Sequence, residues 1–253
     1  MNVLQTNAFA GYRVIVTGSS RGIGHQIARD LHRLGADIAI HGVSSPDISV
    51  FTDGPGRVHA LAGDFSKSGE AHRVITEGVS ALGGLDCLIN NAGTMMGRNP
   101  IADMTPDLYR QIHDLNASSL VEACVAAIPP LRLSSQASIV NTTSISARTG
   151  GSPGSSIYSS AKAFVSTFTR SIAKELAADG IRANAVSPGT IMTDFHRRYS
   201  TPEKLDATAK SVPLGRLGTP EDCAATYLFL AHARLSGYIT GQIIEVNGGS
   251  LMP

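Results

Sequence analysis

Tyr158 and Lys162 have side chains and a spacing suited to proton transfer: they lie four positions apart in a stretch of helical period. On an α-helix that spacing puts both on one face, within reach of each other. A free tyrosine has a pKa of about 10, and each tenfold change in its acidity corresponds to about 1.4 kcal/mol, so a neighbouring ammonium is one way to bring tyrosinate towards neutral pH. Such a pair can give a proton to a carbonyl oxygen or take one from an alcohol. A tyrosine with a lysine one turn on is also a common surface pair, so the pair needs a site around it to carry chemistry.

A glycine-rich turn near the N-terminus supplies a candidate site. The run Val14-Ile15-Val16-Thr17 leads into Gly18, Gly22 and Gly24, between a strand-length apolar segment and a segment of helical period. Glycine permits the tight turn and a close backbone approach to a pyrophosphate, while the free N–H groups and dipole of the following helix favour the anion. The spacing is G-x-x-x-G-x-G, unlike the G-x-G-x-x-G dinucleotide fingerprint, and no Gly-Lys-Ser/Thr follows, which excludes a P-loop. Alone, the cluster is equally a tight strand-to-helix turn.

The elements that must position these groups follow an alternation. Apolar runs at Val14 to Val16, Ile38 to Ile40, Val58 to Leu61, Leu85 to Ile89, Ser138 to Val140, Ala183 to Val186 and Ile243 to Val246 are separated by longer stretches of helical period. Strands apolar on successive residues and separated by helices imply βαβ units, hence a doubly wound parallel sheet with helices on both faces. Helix starts are marked by Thr105-Pro106-Asp107 and Thr219-Pro220-Glu221. With no linker or repeat, residues 1–253 are expected to form one domain. The alternation breaks at about Thr190 to Pro213, where a substrate lid is expected.

Composition narrows the classes of function. A net charge of +1, with no basic run, gives no reason to expect nucleic acid or an anionic membrane as partner. Cys87, Cys124 and Cys223 are odd in number and widely spaced, so neither a disulfide framework nor a metal site is expected. Met1 to Ala10 lack the basic and apolar regions of a secretion signal, and no stretch is apolar enough to span a bilayer, so a cytoplasmic location is expected.

Further motifs occur in a set order: Asn90-Asn91-Ala92-Gly93 after the fourth strand, Asn116 in the next helix, Ser144 after the fifth strand, then Tyr158 and Lys162. Pro188-Gly189 after the sixth strand, Gly241-Gln242 and Asn247-Gly248-Gly249 complete it. With these and the Thr17-led glycine turn, essentially the whole chain resembles the short-chain dehydrogenase/reductase family. The resemblance implies a single-domain Rossmann-type fold and an NAD(P)(H)-dependent oxidoreductase that moves a hydride between nicotinamide and a ketone or secondary alcohol.

Residue roles are implied by the same resemblance. Tyr158 would be the general acid and base, Lys162 its ammonium and a ligand of the nicotinamide ribose, and Ser144 the donor to the substrate oxygen. The family's usual serine-to-tyrosine spacing falls on Ile145, so Ser144 or Ser146 must serve; the strand-end run Ser138-Ile-Val-Asn-Thr-Thr-Ser144 favours Ser144. Asn116 would hold a water that relays protons to Lys162. Cofactor contacts would come from Gly18, Ser20, Arg21, Gly22, Ile23 and Gly24, from His41, Gly42 and Ser44 at the second strand end, and from Asp64 and Phe65 after the third. Asn91, Ala92, Gly93, Tyr158, Lys162, Pro188, Gly189, Ile191 and Thr193 would supply the rest.

An NAD-selecting fold places Asp or Glu at the end of the second strand, and here that position is Gly42. Arg21, Ser44 and Ser45 could instead take a 2′-phosphate, so NADP(H) is expected in preference to NAD(H), which stays open. The substrate pocket is expected between Thr94 to Arg98, Ser146 to Ser152 and the lid. Arg98 and His196-Arg197-Arg198 could draw an anion or be a solvated face, and Met95, Met96 and Met192 could wall the pocket or be core. A 3-oxoacyl thioester and a sugar or polyol are the leading substrate classes, and a homotetramer is the family's usual assembly. The alternative class, a non-catalytic NADP-sensing protein, could lose the Tyr or the Lys. An enoyl reductase relative would have a longer gap between them.

Overall fold

All seven apolar runs become strands in the computed structural model, which describes residues 7–252; residues 1–6 and 253 lie outside the described residues, and with them most of the segment expected to lack a leader. In chain order the elements are β1 (Arg13–Val16), α1 (Gly22–Arg33), β2 (Asp37–Gly42), β3 (Val58–Ala62), α2 (Glu70–Leu82), β4 (Cys87–Asn90) and α3 (Pro106–His113). There follow α4 (Ser119–Leu131), β5 (Ser138–Thr142), α5 (Ser146–Thr149), α6 (Ser156–Glu175), β6 (Arg182–Pro188), α7 (Asp194–Tyr199), α8 (Pro202–Ser211), α9 (Pro220–Ala231), α10 (Ala233–Ser236) and β7 (Ile243–Val246).

The strands form one sheet in the order β3-β2-β1-β4-β5-β6-β7, parallel throughout. Its faces explain the unbroken apolar runs. Ile15, Leu88 and Ile139 pack on the side of α2, α4 and α6, whereas Val14, Val16, Ile38 and Ile89 pack on the side of α1 and α9. Side chains alternate between faces, but both faces are dry. The chain winds from β1 out to β3 and returns to β4 beside β1, so strand order reverses between β1 and β4. Ligands of open α/β sheets bind at the carboxyl end of that switch point, and the glycine turn and Asn91 lie there.

Local starts follow from caps. The Thr105 hydroxyl accepts the Leu108 N–H at 3.2 Å, and the Asp222 carboxylate accepts the Thr219 N–H at 2.8 Å. A third start of the same kind, Thr201-Pro202, opens α8: the Thr201 hydroxyl accepts the Lys204 N–H at 3.3 Å. The break at 190–213 is therefore itself helical, carrying α7 and α8, and it is tied to the body where Gly218 O accepts the Met192 N–H at 2.8 Å. β4 starts at Cys87, later than the apolar run, and just before it the Asp86 carboxylate accepts from the backbone N–H and guanidinium of Arg13, each at 2.9 Å. The three cysteines are free and buried, and among the described residues no helix is long and apolar enough to cross a membrane.

Candidate active site

A cleft of about 500 Å³ runs over the carboxyl ends of the strands, from Gly42 and Val43 past the glycine turn to Tyr158 and the start of α7. At its near end the turn is held by two polar side chains. The Thr17 hydroxyl accepts the N–H groups of Asn91 and Ala92 at 2.9 and 3.1 Å, and Asn91 Nδ2 donates back to the carbonyls of Thr17 and Gly18 at 3.1 and 3.0 Å. Gly18 has φ +62°, and a Cβ there would come within 2.8 Å of Ala92 Cα. Glycine is thus required by both conformation and space. No side chain caps α1, so its first N–H groups stay open towards the cleft.

Four of the expected site residues, three of them cofactor contacts, do not line the cleft. Gly24 is there for packing, since a Cβ would lie 2.5 Å from both Asn91 Nδ2 and Gly18 O. Ser44 lies beyond the rim, with its carbonyl against Gly42. Asp64 turns inward to Ser66, whose N–H and hydroxyl it accepts at 3.1 and 2.7 Å. Asn116 is buried behind the floor. His41 lines the cleft, but both its ring nitrogens are engaged: Nδ1 accepts the Gly18 N–H at 3.1 Å, and Nε2–H donates to Gly63 O at 3.0 Å. Its ring stacks on Phe65 at 4.0 Å, and burial pushes its pKa down. A neutral His41 therefore props the glycine turn from beneath. Ser20, Arg21, Gly22, Ile23, Gly42, Phe65, Asn91, Ala92, Gly93, Pro188, Gly189, Ile191 and Thr193 all line the cleft.

At the far end, α6 presents Tyr158 and Lys162 on one face. Lys162 is buried and its ammonium donates to Thr142 O at 2.9 Å, 5.7 Å from the centre of the Tyr158 ring. The Ser144 hydroxyl oxygen accepts from the N–H and hydroxyl of Ser146 at 3.2 and 3.0 Å, so its own proton is free to turn towards Tyr158, whose hydroxyl it lies close enough to influence. Ser144 is the serine facing the tyrosine, and Ser146 stands behind it. Burial pushes the Tyr158 hydroxyl up to about 12 against the pull of Ser144, and lowers Lys162 to about 8. The expected depression of Tyr158 by Lys162 does not appear: burial raises the hydroxyl, and the group that pulls it down is Ser144.

Asn116 sits in a π-turn, Asp114–Ser118, between α3 and α4. Its Nδ2 donates to Ile112 O at 2.7 Å and Thr94 O at 2.8 Å, inserting a side chain into the helical ladder, a recognised cause of such turns. Its Oδ1 is buried without a partner among the described residues. A Cβ built on Gly93 would lie 2.7 Å from that oxygen and 3.1 Å from Lys162 Nζ, so the space over Gly93 borders both groups.

Sequence reading misses Thr143, whose hydroxyl donates to Lys162 O at 2.8 Å, and Tyr227, fully buried with its hydroxyl 2.9 Å from that of Thr142. The run Thr142-Thr143-Ser144 is the available signal, since polar residues at a buried strand end need partners.

A family model described as Enoyl-(Acyl carrier protein) reductase matches residues 18–250. The chain is similar to the 3-oxoacyl-[acyl-carrier-protein] reductase FabG of Chlamydia pneumoniae, 38% identical over 243 residues that cover 94% of this chain and 96% of that one. It is similar to the 4-formylbenzenesulfonate dehydrogenase TsaC1/TsaC2 of Comamonas testosteroni, 31% identical over 93% of this chain and 96% of that one. Among solved structures, the NADH-dependent reductase A1-R′ complexed with NAD is similar with a TM-score of 0.87 and 34% identity, over 98% of this chain and 100% of that one.

Proposed function

The chain belongs to the short-chain dehydrogenase/reductase family of oxidoreductases acting on carbonyl and CH–OH groups, and we propose that it transfers a hydride between a nicotinamide cofactor and the carbonyl or alcohol carbon of a small substrate, with Tyr158 as general acid and base. The observation that carries this reading is the meeting of Ser144, Tyr158 and the buried Lys162 in one cleft, with Lys162 Nζ 5.7 Å from the centre of the Tyr158 ring. The cofactor, when bound, supplies or accepts the hydride. Burial keeps Tyr158 protonated, which suits donation to a carbonyl oxygen, and the free proton of Ser144 polarises the same oxygen. Lys162 holds its charge up to about pH 8, so an ammonium is at hand to stabilise tyrosinate when the proton leaves. The unpartnered Asn116 oxygen and Lys162 Nζ border one space at Gly93, where a water would connect the pair to a proton supply.

The cleft fits a dinucleotide. Its narrow glycine turn and uncapped helix start receive a pyrophosphate, and a Cβ on Gly18 or Gly42 would fill the cradle. The end of β2 is Gly42, which carries no carboxylate, while Arg21 lines the rim. NADP(H) is therefore the preferred cofactor, with NAD(H) open. The cofactor contacts are the cleft residues named above, with Gly24 shaping the turn. The substrate is a 3-oxoacyl thioester or a sugar or polyol, and 190–213 closes over it as a lid. The family model's description names an enoyl group, but the four-residue gap from Tyr158 to Lys162 favours carbonyl reduction. The whole chain acts as one domain and assembles as a homotetramer. A non-catalytic sensing role is disfavoured by the retention of both Tyr158 and Lys162.

The test is consumption of NADPH and NADH in parallel against ketones, sugars and 3-oxoacyl thioesters. Turnover, faster with NADPH, is expected. Tight cofactor binding without turnover on any carbonyl would favour the sensing role.

A further inference from the structure

Resting on that oxidoreductase reading, we propose that the substrate carries an oxyanion, a carboxylate or a phosphate, and that Arg98 is the specificity-determining residue that receives it at the rim of the cleft. Arg98 is half-buried in the loop after β4 and lines the cleft together with His196 of α7. Its loop is stitched to the segment that leads into α6, with the Asn99 N–H donating to Gly154 O at 2.9 Å. Arg98 therefore sits on the Tyr158 side of the cleft, away from the glycine turn that receives pyrophosphate.

Its guanidinium is held but not neutralised. Nε donates to Tyr199 O at 2.8 Å and Nη1 reaches Pro153 O at 3.4 Å, while Nη2 has no partner among the described residues. Those anchors are carbonyls, and among the described residues no ion pair includes Arg98 or Lys204. The nearest acid in the cleft wall, Asp194, is drawn to Arg197 at 3.8 Å. Arg98, His196 and Lys204 stand close enough to act on one another: burial, then Arg98 and Lys204, lower His196 to about 4, and burial, then Arg98, lower Lys204. His196 is thus neutral at neutral pH, leaving two like charges at one rim without a counter-ion.

With Nε and Nη1 anchored on carbonyls, Nη2 of a positioned and still charged guanidinium is left to donate to an oxygen of an oxyanion. The competing account makes Arg98 only a latch, holding α7 through Tyr199 O. The two differ in what the side chain discriminates. A latch shapes the pocket for every substrate, whereas an oxyanion receptor ranks charged above neutral ones.

Steady-state kinetics of wild type, Arg98→Ala and Arg98→Lys decide between them. The substrates are a keto acid with its methyl ester, and a phosphorylated ketone with its unphosphorylated counterpart, all with one cofactor. Wild type should favour at least one anionic ketone over its neutral counterpart by about ten- to a hundredfold in kcat/KM, mainly through KM. The larger ratio identifies carboxylate or phosphate. Arg98→Ala should bring that ratio near one, and Arg98→Lys should keep part of it. A wild-type ratio near one, or a variant that lowers both members of a pair by the same factor, overturns the proposal. A wild type that reduces no carbonyl, charged or neutral, defeats the oxidoreductase reading and this inference with it.

Discussion

Lys162 and Tyr158 share a buried floor that disfavours charge on either of them, and this gives each a measurable signature. Burial lowers Lys162 from 10.5 to about 8, so between those values the unfolded chain holds a proton that the folded chain has released. Stability from this group therefore rises with pH across that window, and below it the buried ammonium costs about 3 kcal/mol. Replacing Lys162 by Met removes the titration. From neutral pH to pH 10.5, the stability difference between variant and wild type should move by about 3 kcal/mol in favour of wild type, read from urea midpoints. A difference that is flat with pH would mean Lys162 is not held down by burial. Tyr158, raised from 10.0 to about 12, gives up its contribution to stability as pH rises between those values, and does so in both chains. At this scale the residue types and their order are legible in the sequence, but burial is not. Spacing alone points to an ammonium lowering Tyr158, and only packing reveals the burial that raises it. The partners of His41 are equally illegible, since nothing in the sequence says that Gly18 and Gly63 take both its nitrogens.

The turn between β1 and α1 translates sequence into site most directly, because its glycines are required for different reasons. Gly18 has φ +62° and backbone 2.8 Å from a built Cβ, while Gly22 has φ +60° but meets only the Thr193 methyl, at 3.4 Å. Gly18→Ala should lose on the order of 2 kcal/mol or more of stability, and Gly22→Ala less, by thermal or urea unfolding. Equal losses would place the strain in conformation alone and leave close approach without a cost. The strands are readable from their apolar runs and two helix starts from Thr-Pro, while 190–213 stands out only as a break. Its helices α7 and α8 are short and α8 buries no residue, so the hydrophobic period that marks the longer elements is weak there. The π-turn at Asn116 is equally illegible, since a side chain bonding Ile112 O leaves no mark in composition.

Across the whole molecule, alternation yields the parallel doubly wound class, but the order β3-β2-β1-β4-β5-β6-β7 needs the pairing of segments far apart in sequence. α3, α4 and α6 leave Tyr109, Val125 and Phe164 exposed, and Leu133 lies just beyond α4. Exposed apolar side chains on these helices are the kind of surface that the tetramer proposed above would cover. Light scattering should give four copies at micromolar concentration, and a stable monomer would refute that assembly. The central claim, that Tyr158 exchanges the proton while hydride moves, is tested most directly by Tyr158→Phe, with nicotinamide oxidation and cofactor affinity measured on the same sample. Turnover should fall by about a thousandfold or more with cofactor binding retained, as expected when a general acid is removed from an otherwise intact site. Wild-type turnover in that variant would contradict the account.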